Sequence, residues 1–420
     1  MVSQPHMRAI GEQLMDAPCG VLISGCPPGS SVEVTYRTAV SGAVHEGSAR
    51  FLADADGTVD TTSQESVEGS YLGIDPFGLW WSAAPVGQAS ATTVSTPVES
   101  TVEARVGEMS VIGSVTRHWL GDGATMQVID ENGVRGMFCR PRGAGPFPGV
   151  IAFGGSGGGL GPAAAWAPVL ASRGLAVLAV SYFGTPGLPA ALVDIEIEVA
   201  ERAAKWLLAR SDVAGTTVNA IGQSRGSELA LLAGALLPEV HAVVGIAPSG
   251  ISWAGLDAGG PCDRPAWTFR GKPLPYLPIG DEAKIRHTSQ ATGGPVALRP
   301  AFDRALRHLP VDHDAVIPVE QIGGPVLLIS GRDDTMWPST PMSEIAERRA
   351  AFTGSRAVLH LSYEDAGHMV AGVPGLPVVI DSHHPLTGGH YSFGGTRAGN
   401  ARSRSDSWPT IVTHLHSMTR

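Results

Sequence analysis

From residue 126 onward, short apolar runs alternate with helical patterns, and few folds can accommodate that alternation. Gly149–Phe153, Leu175–Tyr182, Val218–Ile221, Val240–Ile246, Val326–Ile329 and Ala357–Leu361 read as buried strands. Ala163–Arg173, Leu192–Arg210 and Ser227–Leu237 read as helices between them. The second of these carries Ile195, Val199, Ala203, Trp206 and Leu207 on one stripe. Met126–Asp130 and Val134–Cys139 flank Glu131-Asn132-Gly133, and Asn-Gly is a hairpin signal. Strands that are apolar throughout and separated by helices are covered on both faces. The expectation is a mostly parallel sheet with helices on both sides.

The residues before about 120 have a different character. Val32-Glu33-Val34-Thr35-Tyr36 alternates with period two. Ala49–Asp54 and Thr58–Thr62 flank Ala55-Asp56-Gly57, which predicts a hairpin. Short strands at this spacing suggest a β-sandwich. The sequence therefore predicts an all-β domain over 1–120 and an α/β domain over 121–420, with an insertion at about 251–322. Four cysteines among 420 residues, none in a C-x-x-C pair, are not a disulfide framework, and a reduced compartment is expected. The first 25 residues carry Glu12 and Asp16 and show no clean apolar stretch of the secretory kind. The longest apolar runs fall short of a membrane span. The expected location is cytoplasmic.

Gly222-Gln223-Ser224-Arg225-Gly226 has the spacing G-x-S-x-G, with a buried strand before it and an apolar helix after it. In that context small residues on either side let the backbone turn sharply and lift the serine hydroxyl above the sheet. The helix N-terminus, at Arg225, then aims backbone N–H groups at a developing oxyanion. The spacing alone is weak, because 54 glycines give roughly one chance match in a chain of this length. A second match exists, Gly154-Gly155-Ser156-Gly157-Gly158. It runs into Gly159-Leu160-Gly161-Pro162 instead of a helix, and reads better as an oxyanion loop bearing Ser156 and Gly157.

A nucleophilic serine needs a histidine base and an orienting carboxylate, in the chain order Ser, acid, His. Ser330-Gly331-Arg332-Asp333-Asp334 follows one strand, and Glu364-Asp365-Ala366-Gly367-His368 follows the next. Both sit at C-terminal strand ends, where open α/β sheets keep their sites. Ser224, Asp334 and His368 fit, with Asp333 as the competing acid. Asp312-His313-Asp314 and His383-His384 could suggest metal ligands, but they lie in proline-flanked loops without a recognised ligand spacing. No metal and no cofactor are expected.

The net charge is −10, from 29 basic and 39 acidic side chains, which argues against nucleic acid and anionic membrane as partners. Residues 251–309 are an exception. They hold eight basic side chains (Arg264, Arg270, Lys272, Lys284, Arg286, Arg299, Arg304 and Arg307) against five acidic ones (Asp257, Asp263, Asp281, Glu282 and Asp303).

The residues together resemble a known family, the type I acyl-CoA thioesterases and bile acid-CoA:amino acid N-acyltransferases. Tyr71-Leu72-Gly73-Ile74-Asp75-Pro76-Phe77-Gly78-Leu79-Trp80-Trp81-Ser82 is similar to its sandwich-domain signature. Phe153-Gly154-Gly155-Ser156-Gly157-Gly158-Gly159-Leu160 resembles its oxyanion loop, and Ser224-Arg225-Gly226-Ser227-Glu228-Leu229-Ala230 its elbow. Asp333-Asp334-Thr335-Met336-Trp337, Ala366-Gly367-His368 and Gly394-Gly395-Thr396 with Trp408 match its later signatures. The resemblance implies an Ig-like sandwich before an α/β-hydrolase domain, with an acyl-CoA or another acyl thioester as substrate. Amino-acid conjugation in the family goes with a cysteine nucleophile, so Ser224 favours water as acceptor. The expected enzyme is a serine-dependent acyl-CoA thioesterase. An acyltransferase to an amine or hydroxyl is the alternative, followed by a carboxylesterase. A non-catalytic binding protein is disfavoured by the complete set of three residues. The CoA phosphates would dock on basic residues of the insertion, Arg270 and Lys272 first among them.

Overall fold

The computed structural model describes residues 4–90, 93–280, 294–354 and 358–417. The chain forms two compact units, one of residues 1–121 and 373–379, the other of 122–372 and 380–420.

The larger unit is built on one eight-stranded sheet. Its strands are β1 (Thr125–Glu131), β2 (Val134–Arg140), β3 (Phe147–Phe153), β4 (Ala176–Val180), β5 (Val213–Gln223), β6 (Val240–Ile246), β7 (Val326–Gly331) and β8 (Leu359–Tyr363). They lie in the order β1-β2-β4-β3-β5-β6-β7-β8. β1 pairs β2, and β2 pairs β4, antiparallel, and every later pair is parallel. Helices α1 (Ala163–Ser172), α2 (Glu198–Leu208), α3 (Arg225–Leu236), α4 (Ser339–Phe352) and α5 (Arg397–Leu415) pack on the sheet. This is the α/β-hydrolase arrangement. All five residues of β4 are buried, and so are the last six of β5. A strand in that position has no polar face to show, which is why the sequence reads as unbroken apolar runs.

The long helix predicted from Leu192 begins only at Glu198. Asp194 takes φ 53°, outside the helical region, and Ile195-Glu196 pairs in parallel with Trp267-Thr268 instead. Ile195 N–H donates to Ala266 O at 2.8 Å. A partner about 70 residues away won over local helical propensity. Of the rest of the predicted stripe, Val199, Ala203 and Leu207 are buried and Trp206 is half-buried.

The smaller unit is all-β among its described residues, apart from one turn of helix at Gly78–Trp81. A three-stranded sheet joins His6–Gly11, Cys19–Ser24 and Val59–Asp60. A second sheet joins Ser31–Val40, Ala43–Leu52, Glu68–Gly69, Ala84–Gln88, Val98–Val106 and Met109–Arg117. Every pairing in both is antiparallel. The predicted turn at Asp54–Thr58 forms, with Asp54 N–H donating to Thr58 O at 2.9 Å. Its two arms do not pair with each other, because Val59-Asp60 crosses to the first sheet and pairs with Leu22-Ile23. The alternation in Ser31–Val40 buries Val32, Val34 and Tyr36, and the Tyr36 ring meets Trp80 edge-on at 4.7 Å. Gly78 is required there, since a Cβ would stand 2.3 Å from the Tyr71 ring.

Candidate active site

Three turns at the C-terminal ends of β5, β7 and β8 carry Ser224, Asp334 and His368. Ser224 lies between β5 and α3 with φ 54° and ψ −124°. This is left-handed backbone that L-residues rarely adopt and that a tight turn imposes. The flanking glycines are a steric necessity. A Cβ on Gly222 would stand 2.0 Å from Gly226 O, and one on Gly226 would stand 2.2 Å from Gly154 O. The loop after β3 closes on the same point, since a Cβ on Gly155 would stand 3.4 Å from Ser224 Cβ. Tyr182 holds that loop by donating to Gly154 O at 2.7 Å.

Asp334 is fully buried at the end of the β7 turn, while Asp333 beside it is exposed. One carboxylate oxygen of Asp334 accepts from Met336 N–H at 2.9 Å and Trp337 N–H at 3.2 Å. The other meets His368 Nδ1 at 2.9 Å. His368 is itself buried, between the Trp337 and Phe393 rings. Gly394 and Gly395 tie the two turns together, bridging Asp334 and Ala366 respectively. Their backbone is left-handed, and a Cβ on Gly394 would stand 1.9 Å from Asp333 O. Asn400 on α5 then receives the Gly367 N–H at 3.0 Å. Gly394-Gly395-Thr396 is thus a clasp over the turns of Asp334 and His368.

A cleft opens over Ser224. Leu256, Ile279, Leu298, Phe302, Met336 and Trp337 give it apolar walls, and Ser156, Arg225, His384, Thr387 and Tyr391 add polar groups. Ala254, Leu256, Pro261, Ile279, Leu298 and Phe302 all come from the insertion after β6. Such a cavity suits a chain with an apolar body and a carbonyl at one end. Ser156 and Gly157 stand in the loop after β3; Ser156 lines the cleft, and Gly157 faces the Pro385 ring. Arg270 and Lys272 stand elsewhere, at the turn between Trp267–Phe269 and Lys272-Pro273, and do not line the cleft. The Arg270 guanidinium lies 2.8 Å from Glu201 and 3.7 Å from Glu198. Asp281, Glu282, Lys284 and Arg286 of the same basic stretch lie outside the described residues.

Sequence reasoning misses two features. Beyond its backbone N–H, Arg225 has a buried side chain, paired with Glu228 at 3.0 Å on the elbow helix. Arg225 donates to Trp253 O and Ala254 O, and Glu228 accepts from Trp253 N–H and Trp267 Nε1–H. The pair pins the cleft wall to the elbow. Burial pushes the Glu228 carboxyl up to about 7, against the opposing pull of Arg225. The signal is present in the sequence as two charges three apart in an apolar helix. The second feature is His384, which spacing alone marks only as a loop histidine or metal ligand. Its Nε2 lies 2.9 Å from Ser156 Oγ.

Residues 195–420 match the family described as BAAT / acyl-CoA thioester hydrolase C terminal, and residues 16–131 match the acyl-CoA thioester hydrolase/BAAT N-terminal region. Mouse peroxisomal succinyl-coenzyme A thioesterase is 27% identical, over 98% of this chain and 96% of its own. Human acyl-coenzyme A thioesterase 1 is 28% identical over 98% and 95%, and human acyl-coenzyme A thioesterase 2, mitochondrial, is 28% identical over 98% and 83%. A solved dienelactone hydrolase from Anabaena variabilis is 19% identical, with a TM-score of 0.33 over 59% of this chain and 88% of its own.

Proposed function

The chain belongs to the acyl-CoA thioester hydrolase/BAAT family, and from that premise we propose that it hydrolyses acyl-CoA thioesters through an acyl-enzyme on Ser224. The observation that carries this reading is the 2.9 Å bond between His368 Nδ1 and Asp334. An ionised carboxylate only accepts, so the imidazole proton sits on Nδ1 and the lone pair of Nε2 is left as a base. Ser224 Oγ attacks the thioester carbonyl carbon as its proton passes to Nε2. The oxyanion is received by Arg225 N–H, at the first turn of α3, and by the loop of Ser156 and Gly157. The C–S bond then breaks, and the imidazolium returns its proton to the departing thiolate. Water gives a proton to Nε2 and attacks the acyl carbon. Ser224 is reprotonated as the carboxylic acid leaves. The scheme calls on no cofactor.

The apolar cleft walls from the insertion support its role as a cap over about 251–322. The two antiparallel sheets with alternating burial support an Ig-like sandwich for about 1–120, ahead of the catalytic domain. Four free cysteines support a reduced compartment, read here as the cytoplasm. Among the described residues no helix is long and apolar enough to cross a membrane.

The test is mass spectrometry of products from a panel of acyl-CoAs, with and without amines. Free acid and CoA in equal amounts are expected, whatever amine is present. An amide or ester product would make the chain an acyltransferase. No turnover of any thioester beside rapid turnover of simple esters would make it a carboxylesterase.

A further inference from the structure

Ser156 and Ser224 line the same cleft, and Ser156 has a histidine beside it, His384. His384 and His368 are in opposite protonation arrangements. A backbone N–H can only donate, and Thr387 N–H points to His384 Nδ1 at 3.3 Å. The Nδ1 lone pair of His384 is therefore in use, and the neutral ring carries its proton on Nε2. That Nε2–H faces Ser156 Oγ at 2.9 Å, so the serine oxygen is the acceptor in this bond. His384 cannot take a proton from Ser156 in this tautomer. The Ser156 hydroxyl hydrogen is left to point elsewhere, and Ser156 lines the cleft over Ser224.

Backbone hydrogen bonds and ring contacts support His384. It closes a turn in which Gly388 N–H donates to His384 O at 2.8 Å and His384 N–H to Gly389 O at 2.7 Å. The flanking strands, Asp381–His383 and His390–Ser392, pair antiparallel. His383 stacks on His390 at 4.5 Å, and Asp381 accepts from the His390 ring at 2.8 Å. Pro385, the next residue, seats against Gly157, so the hairpin tip and the glycine loop are in contact.

We propose that the Ser156 hydroxyl is a side-chain donor to the substrate carbonyl oxygen, strengthening as that oxygen becomes an oxyanion, and that His384 is the positioning residue that turns it there. This rests on the reading of Ser224 as nucleophile. It adds to the backbone N–H groups a donor whose own oxygen is polarised by a second hydrogen bond, and chained hydrogen bonds reinforce one another.

The test is steady-state kinetics on the full chain with an acyl-CoA. Ser156→Ala should lower kcat by about 10²-fold with KM unchanged, the usual cost of one oxyanion donor. His384→Leu should lower kcat by about tenfold, because the hydroxyl survives but is no longer oriented. The double variant should be no slower than Ser156→Ala, since His384 acts through Ser156. His384→Gln, whose amide N–H can donate to Ser156 Oγ, should recover most of the His384→Leu loss. Wild-type kcat in Ser156→Ala overturns the proposal. So does a His384→Leu loss that multiplies onto the Ser156→Ala loss. Failure of the underlying reading looks different: a fluorophosphonate would label Ser156, and not Ser224, in the unaltered protein.

Discussion

The two Gly-x-Ser-x-Gly loops have the same spacing and lie after neighbouring strands of one sheet, yet their surroundings differ. At Gly222–Gly226 the chain turns directly into α3, which forces Ser224 into left-handed backbone. At Gly154–Gly158 the chain wanders through more glycines before α1, and Ser156 is not among the residues with positive φ. His368 Nδ1 is bonded to Asp334, which in the proposed mechanism leaves Nε2 as the base. His384 Nδ1 receives Thr387 N–H, which in the proposed arrangement leaves Nε2–H as the donor to Ser156. A motif of small residues fixes only that backbone comes close. In the proposed reading, the element into which the motif leads and the ring nitrogen left open on the histidine separate a nucleophile from a hydroxyl donor.

The largest test of this contrast is nucleophile removal. Ser224→Ala should lower turnover by ~10³-fold or more with the fold intact, because the three residues act as a unit. That loss should exceed the Ser156→Ala loss. Turnover assays with circular dichroism as the fold control decide it. The reverse order of losses would break the comparison.

Glycine replacement sharpens it next. A Cβ at Gly222 meets backbone at 2.0 Å, so Gly222→Ala should cost about 3 kcal/mol or more. At Gly157 the nearest atoms are the Pro385 ring at 3.3 Å, so Gly157→Ala should stay within about 1 kcal/mol. Urea midpoints measure both. Equal costs would mean that the first loop is held as tightly as the elbow.

The elbow is also held by the buried Arg225–Glu228 pair, whereas the first loop is held by hydrogen bonds from Tyr182 and His384. Glu228 has its carboxyl raised from 4.5 to about 7 by burial. Between those values the folded chain keeps a proton that the unfolded chain has released. Stability contributed by this group therefore falls as pH rises through that window. The span corresponds to ~3 kcal/mol at most. Glu228→Gln removes the titration, so its melting temperature should decline less between pH 5 and 7.5 than that of the unaltered chain. Parallel declines would locate the pH dependence elsewhere.

The contrast between the loops is only half legible in the sequence. The alternation of buried runs and helices points to the sheet, because fully covered strands have no polar face. Chain order points to Ser224, Asp334 and His368 as a set. The partners of residues across long sequence distances are not legible. Ile195 pairs with Trp267, Val59 with Ile23, and His384 with Ser156, and each of these contacts exists only after the sheet has assembled. Tautomer is a property of a ring's surroundings, so no spacing rule could have assigned the ring proton of either His368 or His384.

The smallest expected effect concerns the CoA end of the substrate, away from both loops. Arg270 and Lys272 lie outside the cleft lining, so they would act on the phosphates and not on the acyl chain. Arg270 already faces Glu201 and Glu198, which offset its charge. Charge reversal there would set a third carboxylate beside those two and disturb α2, so neutralisation is the cleaner change. Arg270→Gln with Lys272→Gln should raise KM for an acyl-CoA by only about two- to threefold, in keeping with exposed charges. The increase should shrink as salt is added, because screening removes what remains of the attraction. Hydrolysis of a short ester lacking CoA should not change. An equal loss on both substrates would mean that the turn supports the cap, and the basic residues of the insertion would then have no separate part in binding CoA.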